Sequence, residues 1–247
     1  YMILGKVKKN NITLIEFNPP FIDVTYHREE YEYKERENGL LQKKIVKKRP
    51  GTVGICAAIR YKYKVDAVPH LVCGGFTKSE TEDALLDLNY LGIDNVLLLR
   101  GDAVKSEGRF IAEEKGNKNA MELVKQTVNL NKGIYLEEDL QNGIKTNFCI
   151  GVAGYPEKHT EAPNLKSDMR FLKEKIDAGA DYIVTQMFFD NQKYFDFVKA
   201  CREVGITVPI IPGLKPLTNR NQIYRLPGIF NINLPEDLVN AIENCKT

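Results

Sequence analysis

Amphipathic segments alternate with short apolar runs through most of the chain. Three segments with apolar residues at helical spacing predict helices over residues 77–91, 165–178 and 192–204. The first opens with Thr77 and Glu80, which have the spacing of an N-terminal capping box. Each segment is followed by a glycine, the residue that most easily adopts the left-handed conformation at a helix end: Gly92, Gly179 and Gly205.

Apolar runs with high β-propensity predict the strands. They cover residues 21–24, 68–72, 95–99, 148–153, 182–185 and 208–211. Strands that alternate with helices of this length form crossover units and a parallel sheet. Nearly continuous apolar runs are typical of parallel strands that are covered by helices. We therefore predict an α/β fold, a (β/α)8 TIM barrel with six recognisable strands, forming one domain over residues 1–247.

The charge balance argues against nucleic acid as a partner. With 35 basic and 33 acidic residues, the formal net charge is +2, so no general field attracts a polyanion. A basic run at residues 43–49 lies close to an acidic stretch at residues 29–37. We interpret both as a solvated surface segment.

Cysteine usage and hydropathy limit the class of protein further. The five cysteines form no C-x-x-C pair, and four of them lie in apolar surroundings, which disfavours a disulfide framework or a zinc site. No apolar run reaches the ~18 residues that span a membrane. The apolar stretch at residues 1–4 is too short for a signal peptide. We expect a cytoplasmic protein without a membrane partner.

Polar residues interrupt the apolar runs where the predicted strands end, which is where parallel barrels place their active sites. The set comprises Thr25, Tyr26, His70, Arg100, Gly101, Asp102, Tyr155, His159, Gln186, Pro212 and Gly213. It contains hydrogen-bond donors, a cation and a carboxylate, but neither a nucleophile pair nor a metal-ligand cluster. This inventory favours a large polar cofactor over a covalent intermediate, and we predict no metal site.

Each of these residues also has a structural interpretation. His70 could be a satisfied structural histidine, Asp102 could cap a turn and pair with Arg100, and Tyr155 could pack in a loop. Gln186 follows a buried strand directly, so its amide needs partners, and a ligand is one possibility. No G-x-G-x-x-G or Walker-type loop is present, which disfavours a Rossmann dinucleotide site.

At these residues the sequence resembles the methylenetetrahydrofolate reductase family. The matching stretches are residues 23–26, 68–71, 97–102, 151–159, 175–186 and 205–213. They follow the order and spacing of the family from about residue 21 to residue 238.

The resemblance implies a barrel that binds FAD, takes a hydride from NADH or NADPH, and reduces 5,10-methylenetetrahydrofolate to 5-methyltetrahydrofolate for methionine biosynthesis. It implies flavin contacts at Thr25, Tyr26, His70, Arg100, Gly101, Asp102, Ala120, Tyr155, His159, Asp168 and Lys175. Asp102 would lie near flavin and folate and act electrostatically. Gln186 would hydrogen-bond the substrate. Homo-oligomers are common in this family, and we expect one here.

The family carries its proton-donating glutamate in a first strand. Glu16, which is followed by Phe-Asn-Pro-Pro, lies in a stretch similar to that strand. Its short distance from the strand at residues 21–24 aligns it instead with the end of the helix before the second strand. Glu16 is then not the family's acid. We expect the first strand to be missing from this sequence, and the last strand as well.

Two alternatives to the folate-reducing enzyme follow from these observations. A non-catalytic flavin- or folate-binding barrel remnant is expected if the shortening is biological. An unrelated barrel lyase or aldolase is disfavoured, because Lys215 is the nearest candidate for a Schiff-base lysine and lies past the strand end.

Overall fold

The computed structural model describes residues 17–26, 30–36, 38–47, 50–103 and 108–245. The chain divides into two compact units, residues 1–148 and residues 149–247. We call them the N-terminal and C-terminal units and describe each separately. Glu16, whose role was considered above, lies outside the described residues. That the chain forms a single domain stays a prediction.

The N-terminal unit combines parallel strands, a hairpin and helices. In chain order its elements are β1 (Phe21–Val24), β2 (Glu30–Glu35), β3 (Leu41–Lys47), α1 (Thr52–Ala58), a π-helical turn (Ile59–Tyr63), β4 (Asp66–Val72), α2 (Lys78–Tyr90), β5 (Asn95–Leu99) and α3 (Ala120–Lys132). β1 pairs in parallel with the first half of β4, and β5 pairs in parallel with its second half. β2 and β3 form an antiparallel hairpin.

Side chains of the N-terminal unit alternate across its strands. Ile22 and Val24 on β1 are buried, and Asp23 between them points to the opposite face. α2 packs Leu85 and Leu88 fully inside. The predicted capping box is confirmed, because the Thr77 side chain accepts a hydrogen bond from the backbone N–H of Glu80 while the Glu80 carboxylate accepts one from that of Thr77.

The C-terminal unit repeats strand and helix. Its elements are β6 (Cys149–Gly154), α4 (Leu165–Asp177), β7 (Tyr182–Thr185), α5 (Asn191–Glu203), β8 (Ile210–Ile211), α6 (Gln222–Phe230) and α7 (Glu236–Glu243). The strands β6, β7 and β8 are parallel, with Gly151 opposite Tyr182 and Ile183 opposite Ile210. A mixed α/β fold with parallel strands is therefore confirmed.

Several predicted boundaries agree with the structure and some elements were missed. The strands at residues 21–24, 95–99 and 182–185 are confirmed, whereas the strand predicted at residues 208–211 begins only at Ile210. The three glycines after the predicted helices all have positive φ. The charged segment near residues 29–49 was predicted as solvated surface, and it contains the β2–β3 hairpin. The helices α1, α3, α6 and α7 were not predicted as helices with these bounds.

Among the residues that the structure describes, no helix is long and apolar enough to cross a membrane. In the same part of the chain, no group of three or more His, Cys, Asp or Glu side chains could hold a metal ion.

Candidate functional site

In the N-terminal unit, His70 on β4 faces Asp23 on β1. The His70 Nε2 atom lies 3.5 Å from Asp23 Oδ1, and the His70 side chain is only 14% exposed. Burial, with the Asp23 carboxylate as the second cause, raises the pKa of the Cys56 thiol to about 12. Cys56 therefore stays protonated and unreactive, whereas Asp23 and His70 form a polar pair in an apolar strand environment.

The turn after β5 contains Arg100, Gly101 and Asp102. The Arg100 guanidinium lies over the Phe110 ring, 4.9 Å from its centroid, which holds the cation in a cation–π contact. Gly101 has φ +87°, and a Cβ atom there would lie 3.2 Å from Cβ of Val72. Asp102 is exposed. The turn thus needs glycine in its middle and places a cation and a carboxylate on either side of it.

Thr25 and Tyr26 directly follow β1. Thr25 is exposed, and the Tyr26 ring meets the Phe76 ring edge-on at 5.2 Å between centroids. An edge-on pair of this kind fixes ring orientation. The predicted site residues therefore follow β1 and β5 or lie within β4, as the strand-end argument expects.

Ala120 is the first residue of α3, and a buried amide network supports the segment before it. Asn117 Nδ2 donates to Gln126 Oε1 at 2.6 Å, and Gln126 Nε2 donates to the Lys78 carbonyl oxygen at 2.7 Å. The Asn119 side chain caps α3 by accepting a hydrogen bond from Glu122 N–H. This arrangement fixes the first turn of α3.

In the C-terminal unit, three predicted residues meet after β6. The rings of Tyr155 and His159 pack edge-on with 4.7 Å between centroids. Asp168, in the first turn of α4, accepts a hydrogen bond from the backbone N–H of His159 at 2.8 Å. The Nδ1 atom of His159 accepts one from Glu161 N–H, so a neutral His159 carries its proton on Nε2.

The loop with these residues is tied to the segment after α6. The Glu157 carboxylate accepts hydrogen bonds from Asn233, including one of 2.6 Å from its Nδ2 atom. The Lys158 carbonyl oxygen accepts one from Asn231 Nδ2. Glu157 was quoted within a matching stretch but was not singled out, and its acidic side chain after a strand gave no separate signal.

Lys175 lies seven residues after Asp168 on α4, two helical turns along the same face. Its Nζ atom donates to the Ala153 carbonyl oxygen at 2.7 Å. Desolvation lowers the pKa of Lys175 to about 8, while the Asp168 carboxylate acts in the opposite direction. Lys175 is thus a partly buried ammonium that an additional anion would stabilise.

Gln186 follows β7, and hydrogen bonds fix both its backbone and its side chain. Its backbone N–H donates to the Gly154 carbonyl oxygen, and its side-chain Oε1 accepts from Met187 N–H at 2.9 Å. The neighbouring Thr185 Oγ1 accepts from Gly213 N–H at 2.9 Å. The amide of Gln186 is therefore oriented, and its remaining donor is Nε2.

Within each unit, the structure brings some predicted residues together. His70 lies next to Asp23 in the N-terminal unit, and Tyr155, His159, Asp168 and Lys175 gather at the end of β6 in the C-terminal unit. Asp23 was missed as a site residue. A carboxylate inside the apolar run of β1 was the signal that could have identified it, because a charged group between buried apolar residues needs polar partners.

With this geometry established, comparison with known proteins gives the family. A family model described as methylenetetrahydrofolate reductase matches residues 9–247. The chain belongs to the methylenetetrahydrofolate reductase family.

Curated relatives in the family include plant and bacterial proteins. The chain is 36% identical over 191 residues to a probable methylenetetrahydrofolate reductase (NADH) of Oryza sativa subsp. japonica, covering 74% of this chain and 30% of that protein. It is 35% identical to methylenetetrahydrofolate reductase (NADH) 1 of Arabidopsis thaliana, covering 79% and 32%. For 5,10-methylenetetrahydrofolate reductase of Salmonella typhimurium the identity is 32%, covering 90% and 62%.

The chain thus spans about a third of the length of the plant relatives that it matches. Among solved structures it is similar to a putative lyase/mutase from Burkholderia cenocepacia, with a TM-score of 0.44 and 15% identity over 77% of this chain and 62% of that chain. A similarity at this level carries no argument about function.

Proposed function

We propose that this chain reduces 5,10-methylenetetrahydrofolate to 5-methyltetrahydrofolate with a nicotinamide reductant, the hydride passing through bound FAD. The observation that carries this proposal is the family match over residues 9–247, supported by relatives whose names specify the same reaction. Relatives are named for NADH and, in Caenorhabditis elegans, for NADPH. The proposal leaves the choice between these two reductants open.

The donor set suits FAD. A dinucleotide with a pyrophosphate and many hydroxyl groups needs cations, acceptors and a close backbone approach. In the N-terminal unit Arg100 supplies a cation and His70 an acceptor, and in the C-terminal unit Lys175 supplies a cation and Asp168 an acceptor. Gly101 lets the backbone come close. The residues proposed to hold FAD are Thr25, Tyr26, His70, Arg100, Gly101, Asp102, Ala120, Tyr155, His159, Asp168 and Lys175.

Two residues are proposed to act on the substrates. Bound FAD supplies hydride-transfer chemistry, and the chain supplies binding and electrostatics. The exposed Asp102 carboxylate would stabilise a cationic form of the folate by a charge interaction. Gln186, whose Oε1 is already occupied by Met187 N–H, would donate from Nε2 to an acceptor on the folate or nicotinamide.

The barrel architecture, the oligomeric state and the cellular location belong to the same proposal. The parallel strands of each unit fit the eight-stranded (β/α)8 barrel of the family, with the single domain over residues 1–247 as its catalytic part. Self-association into a homo-oligomer and a cytoplasmic location follow from the family resemblance alone.

Absorbance spectroscopy tests the proposal. The purified protein, reconstituted with FAD, should lose its visible flavin absorbance when NADH or NADPH is added without oxygen, and regain it with methylenetetrahydrofolate. Protein that cannot take up FAD would refute the flavoenzyme proposal. Bound flavin that neither reductant bleaches would favour the non-catalytic remnant instead.

A matched pair of variants tests the role of Asp102. Asp102→Asn removes a carboxylate from the turn after β5, and Asp94→Asn removes an exposed one just before that strand. We expect Asp102→Asn to slow reoxidation by the folate at least about tenfold, because one electrostatic contact in the transition state is lost. Asp94→Asn should leave the rate unchanged. Equal rates in both variants would refute the assigned role.

A further inference from the structure

Three buried polar atoms on two neighbouring strands lack a hydrogen-bond partner among the described residues. They are Oδ1 of Asp23 on β1 and both ring nitrogens of His70 on β4. Nearly all buried polar atoms in folded proteins are hydrogen-bonded, so a group of orphaned atoms needs an explanation. Asp23 Oδ1 and His70 Nε2 lie 3.5 Å apart, so each atom is the candidate polar partner of the other.

Strand register explains why they meet. Asp23 is paired with Val68, and His70 lies two residues further along β4, so Asp23 and His70 project from the same face at diagonal positions. Diagonal neighbours on a sheet are within reach of long side chains. Ile22 and Val24 occupy the opposite face and are buried there. The contact is thus fixed by the backbone.

The facing atoms decide where a neutral imidazole carries its proton. An ionised carboxylate only accepts hydrogen bonds, and a neutral histidine has one donor nitrogen and one acceptor nitrogen. The carboxylate of Asp23 lies on the Nε2 side and attracts the proton to that atom. Nδ1 is then left with its lone pair. The Cys56 thiol near Asp23 stays neutral, because burial and Asp23 raise its pKa to about 12.

We propose that Asp23 is a positioning residue that holds His70 in the Nε2–H tautomer and thereby presents Nδ1 as an acceptor to a hydroxyl or N–H donor of bound FAD. The identity of the ligand rests on the proposed function. The tautomer rests only on the contact between β1 and β4.

Nuclear magnetic resonance tests the tautomer without any ligand. The sequence has three histidines, His27, His70 and His159, and a His70→Gln variant identifies the signals of His70 in protein labelled with ¹⁵N-histidine. In the neutral imidazole of His70 we expect Nε2 to be protonated and Nδ1 to be unprotonated. Asp23→Ala should abolish this preference, whereas Asp94→Ala should leave it intact. A protonated Nδ1 in the unchanged protein would overturn the proposal, even if the Asp23 variants fail to fold.

Flavin affinity tests the consequence. We expect Asp23→Ala and His70→Gln each to weaken FAD binding about tenfold, the effect of losing one hydrogen bond. The double variant should bind no more weakly than His70→Gln alone, because Asp23 acts through His70. Additive losses would overturn the positioning role, whereas rescue by Asp23→Asn to near the original affinity would support it, because the amide oxygen can still accept a hydrogen bond from Nε2–H.

The two experiments distinguish a failure of the proposed function from a failure of the tautomer proposal. If the folded protein and all its variants bind no FAD, the proposed function and the ligand half of this inference fail together. The histidine signals then still decide whether Asp23 sets the tautomer of His70.

Discussion

Replacing Lys175 by methionine should change how the stability of this protein depends on pH. The Lys175 side chain is partly buried against β6, where its Nζ atom donates to the Ala153 carbonyl oxygen. Desolvation lowers its pKa from 10.5 to about 8 in the folded state, with Asp168 opposing part of the shift. Methionine has a similar length and carries no charge, so the variant removes the titration and keeps most of the packing.

The magnitude follows from the two pKa values. Because the folded-state pKa lies below the unfolded-state value, the unfolded chain binds more protons between about pH 8 and pH 10.5. The free energy of unfolding therefore rises with pH through this window. Linkage gives a gain of about 2–3 kcal/mol for the lysine protein relative to the methionine variant between pH 7 and pH 10.

Urea unfolding at pH 7, 8, 9 and 10 measures this difference. Other groups titrate in the same range, but their contributions cancel when the variant is subtracted from the parent. Lys166→Met, at an exposed position near the start of the same helix, is the matched control and should give a difference that does not change with pH. A constant difference for Lys175→Met as well would refute the argument that Lys175 is desolvated.

Two further predictions concern packing and thiol reactivity. Gly213→Ala should lower the free energy of unfolding by about 3 kcal/mol, since the added Cβ would overlap the Thr185 carbonyl oxygen. Gly228→Ala is the control, because a Cβ there meets open space and should not lower stability. Thermal unfolding of both variants measures the difference. Iodoacetamide at pH 8 should modify the exposed Cys245 of the native protein and spare Cys56, whose pKa of about 12 keeps it as a thiol. Peptide mass spectrometry checks this, and an adduct at Cys56 would contradict it.

The regular part of the fold was readable from sequence because local signals and tertiary packing agree there. The apolar run at residues 95–99 and the glycine after each predicted helix correspond directly to β5 and to positive φ angles. β8 was predicted too long, because Val208 and Pro209 continue the apolar run although only Ile210 and Ile211 lie in strand register with β7. Apolar character signals burial, whereas strand bounds depend on the partner strand.

The β2–β3 hairpin shows where sequence patterns fail. Its strands carry glutamate, lysine and tyrosine in close alternation, and this composition is equally typical of a solvated loop. The polar residues that follow the strands could be identified one by one from the sequence, and their roles stay a prediction. The contact between Asp23 and His70 could not be identified in this way, because it depends on the register between β1 and β4, which the sequence does not contain.

The hairpin has a consequence for folding kinetics. β1 must find β4 across roughly forty residues, and the entropy lost on closing a loop grows with the number of free residues in it. β2 and β3 pair locally through a short turn, so they can form within microseconds, long before the parallel strands meet. Once formed, the hairpin removes close to half of the free residues, which lowers the closure cost by about 0.5 kcal/mol. A segment with little buried surface of its own therefore brings the first two parallel strands together faster.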